Sequence, residues 1–148
     1  MKRILVVDDE TDVRKLLEET LKRTDYEILQ AETAEDALVI SREKRPDLIL
    51  MDIMMPGDLN GIEATRMLKD DVRTKQSKVI ILTSSGTLKE LAMSAGADAY
   101  FSKPFSPLEL LRKIDEFLGE TYLGRGEGVR LSSRQSNSVS NIPMTGII

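Results

Sequence analysis

Five short apolar runs, separated by longer segments with helical periodicity, constrain the fold of this chain more than any other feature. The runs are four to six residues long and lie at 3–7, 26–30, 48–51, 78–83 and 98–102. Between them, apolar residues recur at the three- and four-residue spacing of amphipathic helices. Strands that alternate with helices pair in parallel and carry helices on both faces. The sequence therefore predicts an α/β domain with five strands and five helices.

Start and stop signals place the helices between these runs. Thr33, Asn60 and Ser106 are each suited to cap a helix, and Ser106 is followed by proline at the first helical position. Gly96 is expected to stop a short fourth helix. The fifth helix should bury an apolar stripe that ends at Leu118.

The central run ends at an acid. The segment DLILMDIMMPG, residues 47–57, has four consecutive apolar residues followed directly by Asp52, and Pro56 and Gly57 then interrupt regular structure. A continuous run this short is typical of a strand buried on both faces. Open α/β sheets bind ligands at the carboxyl ends of their strands, and Asp52 is predicted to lie there.

Polar side chains follow three other strands at the same edge. Strand one ends at Asp8 and Asp9, strand four at Thr83 and strand five at Lys103. Clustered carboxylates repel one another unless a cation neutralises them, and carboxylate oxygens suit Mg²⁺. With the metal bound, Asp52 could attack a phosphoryl group as a carboxylate nucleophile. Lys103 would offset negative charge on that group, and Thr83 would donate a hydrogen bond to it.

Composition removes other chemistries. The chain has neither cysteine nor histidine, which excludes disulfides, thiolate or imidazole metal sites and histidine-based acid–base catalysis. A net charge of −4 argues against direct binding to nucleic acid. No signal peptide or membrane-length apolar run is visible in the sequence. The expectation is a cytoplasmic protein that acts without a membrane.

Four segments together carry a resemblance to a known family. The segments VVDDE, LMDIMMPG, ILTS and AYFSKPF, in this order, make residues 1–119 resemble the receiver domain of two-component response regulators, in particular a stand-alone regulator of the chemotaxis type. The resemblance implies a flavodoxin-like doubly wound sheet with strand order 2-1-3-4-5. Residues 120–148 are rich in glycine, serine, asparagine and arginine, and are expected to be a disordered tail or linker.

The resemblance also assigns roles at the predicted metal and acceptor site. Asp52 would be the phospho-acceptor. Asp9 would be a direct Mg²⁺ ligand, Asp8 would act largely through water, and Met54 would supply its backbone carbonyl. Lys103 would contact the phosphoryl group, with a cis peptide bond to the proline that follows it.

Two further residues match the switch positions of the family. Thr83 and Tyr100 would rearrange on phosphorylation and alter the face formed by helix four, strand five and helix five. The phosphoryl donor would be a sensor histidine kinase or a histidine phosphotransfer protein, and a downstream protein would read the altered face. A phosphorylation-linked homodimer is also compatible with this reading. Such a protein is not a conventional enzyme, although it could remove its own phosphoryl group.

The sequence departs from the family pattern in two segments. The segment GDLN, residues 57–60, is one residue longer than is common, and the segment from Thr83 to Lys103 is about two residues shorter than in the chemotaxis regulator. Two alternative classes of protein would have different residues. A haloacid-dehalogenase-like phosphatase would have Asp-x-Asp after strand one, where this chain has Glu10 in the second position. A pseudo-receiver would lack acceptor-site residues that are all present here.

Overall fold

One parallel sheet with the strand order β2-β1-β3-β4-β5 organises the computed structural model, which describes residues 1–119. The strands are β1 (Arg3–Val7), β2 (Glu27–Ala31), β3 (Leu48–Met51), β4 (Lys78–Thr83) and β5 (Ala99–Ser102). The helices are α1 (Thr11–Leu21), α2 (Ala34–Lys44), α3 (Gly61–Asp70), α4 (Lys89–Ser94) and α5 (Pro107–Leu118). This architecture is the predicted doubly wound α/β fold, and the predicted strand order is confirmed.

The sheet separates two apolar layers. Side chains alternate between faces along a strand, and β3 shows both faces buried: Leu48 and Leu50 pack with α1 and α5, whereas Ile49 and Met51 pack with α2 and α3. All four side chains are at most 1% exposed. The continuous apolar run was therefore correctly interpreted as a strand covered on both faces.

The predicted helix caps are formed. The side chain of Thr33 accepts a hydrogen bond from the Asp36 amide at 3.0 Å, and that of Ser106 accepts one from the Leu108 amide at 3.1 Å. Asn60 opens α3 with a reciprocal capping box, in which its side chain and that of the third helical residue each accept an amide hydrogen bond.

Two strands begin one residue later than predicted. Tyr26 precedes β2, where its ring enters the apolar layer under α5 and its hydroxyl donates to Asp115 at 2.9 Å. The ladder starts only where Glu27 pairs with Arg3. At β5, Asp98 instead lies before the strand and accepts a hydrogen bond from the Val79 amide. The first residues of β2 and β5 are therefore set by packing and hydrogen bonding at the strand ends, which apolar character alone does not predict.

Helix α4 is short, in line with the shortened segment that contains it. It spans six residues before Gly96, which has a φ of 110°. Ala92 and Ala95 are buried, whereas Leu91 is 55% exposed. Ala92 is the α4 residue that joins the apolar layer shared by α2 and α3.

Helix α5 is the last element of the described residues. Leu118 is the last helical residue, and Gly119 caps the helix in the left-handed conformation. The predicted tail, residues 120–148, lies outside the described residues, and the domain boundary at residue 119 remains a prediction. Among residues 1–119, no helix has both the length and the apolar character needed to cross a membrane.

Candidate functional site

Three carboxylates meet at the carboxyl edge of the sheet. Strand β1 pairs with β3 so that Val7 lies opposite Met51, and the next residue of each strand carries an acid. Ligand oxygens of Asp8, Asp9 and Asp52 all lie within 4.8 Å of one another. Asp8 and Asp52 are buried and Asp9 is exposed. The topology therefore brings together the acids that the sequence placed at two strand ends.

Lys103, the residue that follows β5, adds a positive charge to this cluster. Its Nζ donates to Asp8 Oδ2 at 2.9 Å, and its backbone amide donates to the Thr83 carbonyl at 2.7 Å. The peptide bond between Lys103 and Pro104 is cis, as the family resemblance implied. One ammonium group thus faces three carboxylates, which leaves a net negative site suited to a hard divalent cation.

The carboxyl of Asp52 titrates unusually for an aspartate. Its pKa is raised from 3.8 to about 6, mainly by burial and in part by the neighbouring charges of Asp8 and Asp9. Lys103 opposes this shift, as does the Ile53 amide, which donates to Asp52 Oδ1 at 2.8 Å. A cation among the three acids would favour the charged carboxylate.

The raised pKa of Asp52 predicts that the stability of the metal-free protein depends on pH. Because the folded state holds this proton more tightly than the unfolded state, stability should fall as pH rises from about 4 to about 7. In EDTA, Asp52→Asn should therefore have a higher melting temperature than wild type at pH 8. The difference in melting temperature should become smaller toward pH 4.5. Thermal melts of both proteins across this range measure it, and a margin independent of pH would contradict the prediction.

Ser85 links the two predicted switch residues. Thr83, at the end of β4, is fully buried, and its hydroxyl oxygen accepts a hydrogen bond from the Ser85 amide at 3.3 Å. The carbonyl of the same Ser85 accepts a hydrogen bond from the Tyr100 hydroxyl. Both side chains therefore hold the β4–α4 loop. The sequence indicated the two residues but not the loop residue between them.

Met54 lies beside the acceptor as an exposed side chain. It is two residues beyond Asp52, and 64% of its surface is accessible. Its predicted contribution is the backbone carbonyl and not the thioether, so side-chain exposure does not test it. The role of Met54 remains a prediction.

A buried arginine supports Asp8 from α1. The guanidinium of Arg14 donates from Nη1 to the Asp8 carbonyl at 2.7 Å and from Nε to Gln30 Oε1 at 3.1 Å. Arg14 is only 7% exposed, although its position in the helix carries no motif. Sequence reasoning missed this residue; the available signal was a single cation within the apolar stripe of α1.

Gly61 permits a close backbone approach to the acceptor. A Cβ atom at this position would lie 2.0 Å from the Asp52 carbonyl oxygen and 2.9 Å from the Ile53 Cα. The Gly61 amide also donates to the Ile53 carbonyl at 2.9 Å. Only a residue without a side chain lets α3 start against the acceptor loop. Sequence reasoning did not assign Gly61 a role.

Glu35 of α2 holds the lengthened loop between β3 and α3. Its Oε2 accepts hydrogen bonds from the amides of Asp58 and Leu59 at 2.9 and 3.1 Å. Gly57 begins this loop with a φ of 112°, a conformation that favours glycine. The longer loop is therefore anchored to α2.

Comparisons with known proteins point to one family. The family model described as the response regulator receiver domain matches residues 4–115. The protein PilH of Pseudomonas aeruginosa is 39% identical over 120 residues, which cover 80% of this chain and 98% of PilH. The phosphate regulon transcriptional regulatory protein PhoB of the same species is 41% identical over 128 residues, which cover 85% of this chain but only 56% of PhoB. The chain thus spans about half the length of PhoB.

A solved structure shows the same fold with a metal in its cleft. The receiver domain of a Pseudomonas aeruginosa sensor histidine kinase, described with a magnesium ion coordinated in the active site cleft, superposes with a TM-score of 0.73. It is 28% identical in sequence, and the match covers 80% of this chain and 98% of that domain.

Proposed function

Because this chain belongs to the response regulator receiver domain family, we propose that it takes a phosphoryl group onto Asp52 from a histidine kinase or a histidine phosphotransfer protein. The observation that carries the proposal is the position of Asp52, a buried acid within 4.8 Å of two others and beside Lys103. Incubation with acetyl phosphate and Mg²⁺, followed by mass measurement and mapping of the modified residue, tests it.

The transfer is a displacement at phosphorus. A carboxylate oxygen of Asp52 forms a bond to phosphorus while the bond from phosphorus to the donor breaks, to the imidazole nitrogen of phosphohistidine or to the acetate oxygen of acetyl phosphate. The bonding electrons leave with the donor. Lys103, paired with Asp8 at 2.9 Å, would offset negative charge on the transferring oxygens. The Thr83 hydroxyl would donate to one of these oxygens.

The residues present fit a Mg²⁺ site. Asp9 and Asp52 would bind the metal directly, Asp8 largely through water, and Met54 through its carbonyl oxygen. When bound, Mg²⁺ would neutralise charge shared between the acids and the incoming phosphoryl group. Three carboxylates close enough to share one cation support this assignment.

Asp9→Ala should weaken Mg²⁺ binding more than Asp8→Ala. Asp9 is exposed, whereas Asp8 is buried and already accepts hydrogen bonds from Lys103 and from the Glu10 amide. Loss of a direct carboxylate ligand is expected to lower affinity by about tenfold or more. Calorimetric titration of both variants and wild type measures the order, and equal affinity in wild type and Asp9→Ala would refute the ligand assignment.

Phosphorylation would act on the loop that Thr83 and Tyr100 share. A phosphoryl group adds roughly −1.5 to −2 charges and new acceptor oxygens. A Thr83 hydroxyl that turned toward these oxygens would release the Ser85 amide it now binds. Ser85 also holds Tyr100, so the movement would reach β5 and the face formed by α4, β5 and α5. A switch of this kind needs only a few kcal/mol between two states.

Thr83→Ala should uncouple acceptance from signalling. The variant should still take up phosphate on Asp52 but lose most of the change near Tyr100, because no hydroxyl remains to exchange partners. NMR shift mapping with beryllofluoride, a mimic of the phosphoryl group, measures this. Shifts around Tyr100 equal to those of wild type would show that Thr83 does not carry the coupling.

The proposal also includes the partner that receives the signal. A downstream protein would bind the face formed by α4, β5 and α5. Alternatively, phosphorylation would cause two copies of this chain to form a homodimer through that face. We assign the receiver to residues 1–119 and expect a cytoplasmic location. The match covers nearly the whole length of PilH and about half that of PhoB, so the output of this chain remains part of the proposal.

A further inference from the structure

We propose a second binding site, for a small organic phosphate, in a cationic cleft at the edge of the sheet opposite Asp52. The cleft has a volume of about 370 Å³ and is lined by residues that precede β1, β3 and β4 and by the end of α5. Pockets that hold small molecules start at about 300 Å³. A parallel strand rises about 3.3 Å per residue, which places lining residue Asp47 roughly 16 Å from Asp52. The cleft is therefore separate from the acceptor site.

Charge favours an anionic ligand. Lys2, Arg45, Arg73 and Lys78 line the cleft with a single acid, Asp47, in a chain whose net charge is −4. Asp47 Oδ2 already accepts a hydrogen bond from a backbone amide at 2.8 Å. Like charges gathered in one concave surface repel one another until an anion joins them.

Three of these four cations form no ion pair within residues 1–119. Of the four, only Arg73 forms an ion pair among residues 1–119, with Asp71 at 2.9 Å. Lys78 makes an aromatic contact, its Nζ lying 5.8 Å from the centre of the Phe117 ring. Lys2 and Arg45 have no carboxylate within ion-pair distance in this described part. Their donors remain available to a ligand.

The backbone of Arg45 supports a role for its side chain. Arg45 follows α2 in the left-handed conformation, with a φ of 47° and a ψ of 63°, where glycine would be unstrained. It is the single non-glycine residue with positive φ among residues 1–119. Complementing the helix end does not require it, because Arg42 and Lys44 already lie in the last turn of α2. A guanidinium at this strained position is well suited to bind a phosphate through two donors.

Apolar side chains also line the cleft. They are Phe117, Leu118 and Val72, and Val72 is 77% exposed. A ligand that unites a phosphate group with an apolar or aromatic body would contact both the cations and these side chains, whereas an inorganic anion would contact the cations alone. The chemical class that fits is a phosphate monoester of mononucleotide size.

The test is an NMR titration of the full chain in EDTA, which prevents phosphate from reaching the acid cluster through a metal. The probes are AMP, glucose 6-phosphate and adenosine. AMP should shift the amides of Lys2, Asp47 and Lys78 in a saturable manner, and adenosine should not. A response to glucose 6-phosphate equal to that of AMP would assign recognition to the phosphate group alone, and a weaker response would show that apolar residues such as Phe117 also contribute.

Arg45→Gly is the decisive variant, because it removes the guanidinium and relieves the left-handed backbone together. It should keep or raise the melting temperature while weakening AMP binding about tenfold, and Lys78→Gln should weaken it similarly. Lys89→Gln, which removes an exposed cation elsewhere, should leave AMP binding unchanged. The proposal is overturned if AMP causes no saturable shift at 10 mM, if adenosine matches it, or if Arg45→Gly binds as wild type. None of these results bears on phosphorylation of Asp52.

Discussion

Asp52→Asn should abolish incorporation of phosphate from acetyl phosphate in the presence of Mg²⁺. Asparagine keeps the shape of the side chain but offers a neutral amide in place of the carboxylate that attacks phosphorus. Asp52 is 8% exposed, and Asp8, the other buried carboxylate among residues 1–119, is already paired with Lys103. Labelling measured by intact mass should fall to the background of the assay.

The matched control for this loss is Asp58→Asn. Asp58 is an exposed acid in the loop that follows the acceptor, and its replacement should leave incorporation close to that of wild type. Undiminished labelling of Asp52→Asn would contradict the assignment of Asp52 as the acceptor. Absence of labelling in wild type would instead favour the pseudo-receiver alternative. Mapping of the label to the end of β1 would favour the phosphatase-like one.

Gly61→Ala should strongly destabilise the domain. The new Cβ would lie 2.0 Å from the Asp52 carbonyl oxygen, and the atoms it meets belong to the backbone, which cannot rotate away. Overpacking of this kind typically costs about 1–3 kcal/mol and more when backbone must move. A loss of about 3 kcal/mol lowers the melting temperature of a domain this size by roughly 10 °C.

The same substitution should also displace the acceptor, because the clash falls on the residue that carries it. Phosphate uptake by Gly61→Ala should fall at temperatures where the variant remains folded. Gly86→Ala is the matched control: its Cβ would meet only the Ser102 hydroxyl oxygen, at 3.7 Å, an ordinary contact. Melting temperatures and acetyl phosphate labelling of the pair measure both effects. Equal stability of the two variants would show that α3 can move away from the acceptor loop at little cost.

The sequence predicted the fold and the members of the site because both depend on local patterns. The length and continuity of the run before Asp52 report a strand buried on two faces, and its carboxyl end follows directly. The same reasoning placed Asp8, Asp9 and Lys103 at the same edge, where the structure brings them together.

The sequence by itself thus determined which side chains lie at the carboxyl edge of the sheet, because a strand and its end can be recognised from a few consecutive residues. The tertiary structure alone decided how these groups are held. The contact of Arg14 with the Asp8 carbonyl and the approach of Gly61 to Asp52 each run from a helix to the strand end before it, and the raised pKa of Asp52 reflects burial and charges from other strand ends. A hydrophobic pattern reports that a residue is buried but not which atoms it meets, and those distances set hydrogen bonds, steric limits and proton affinity.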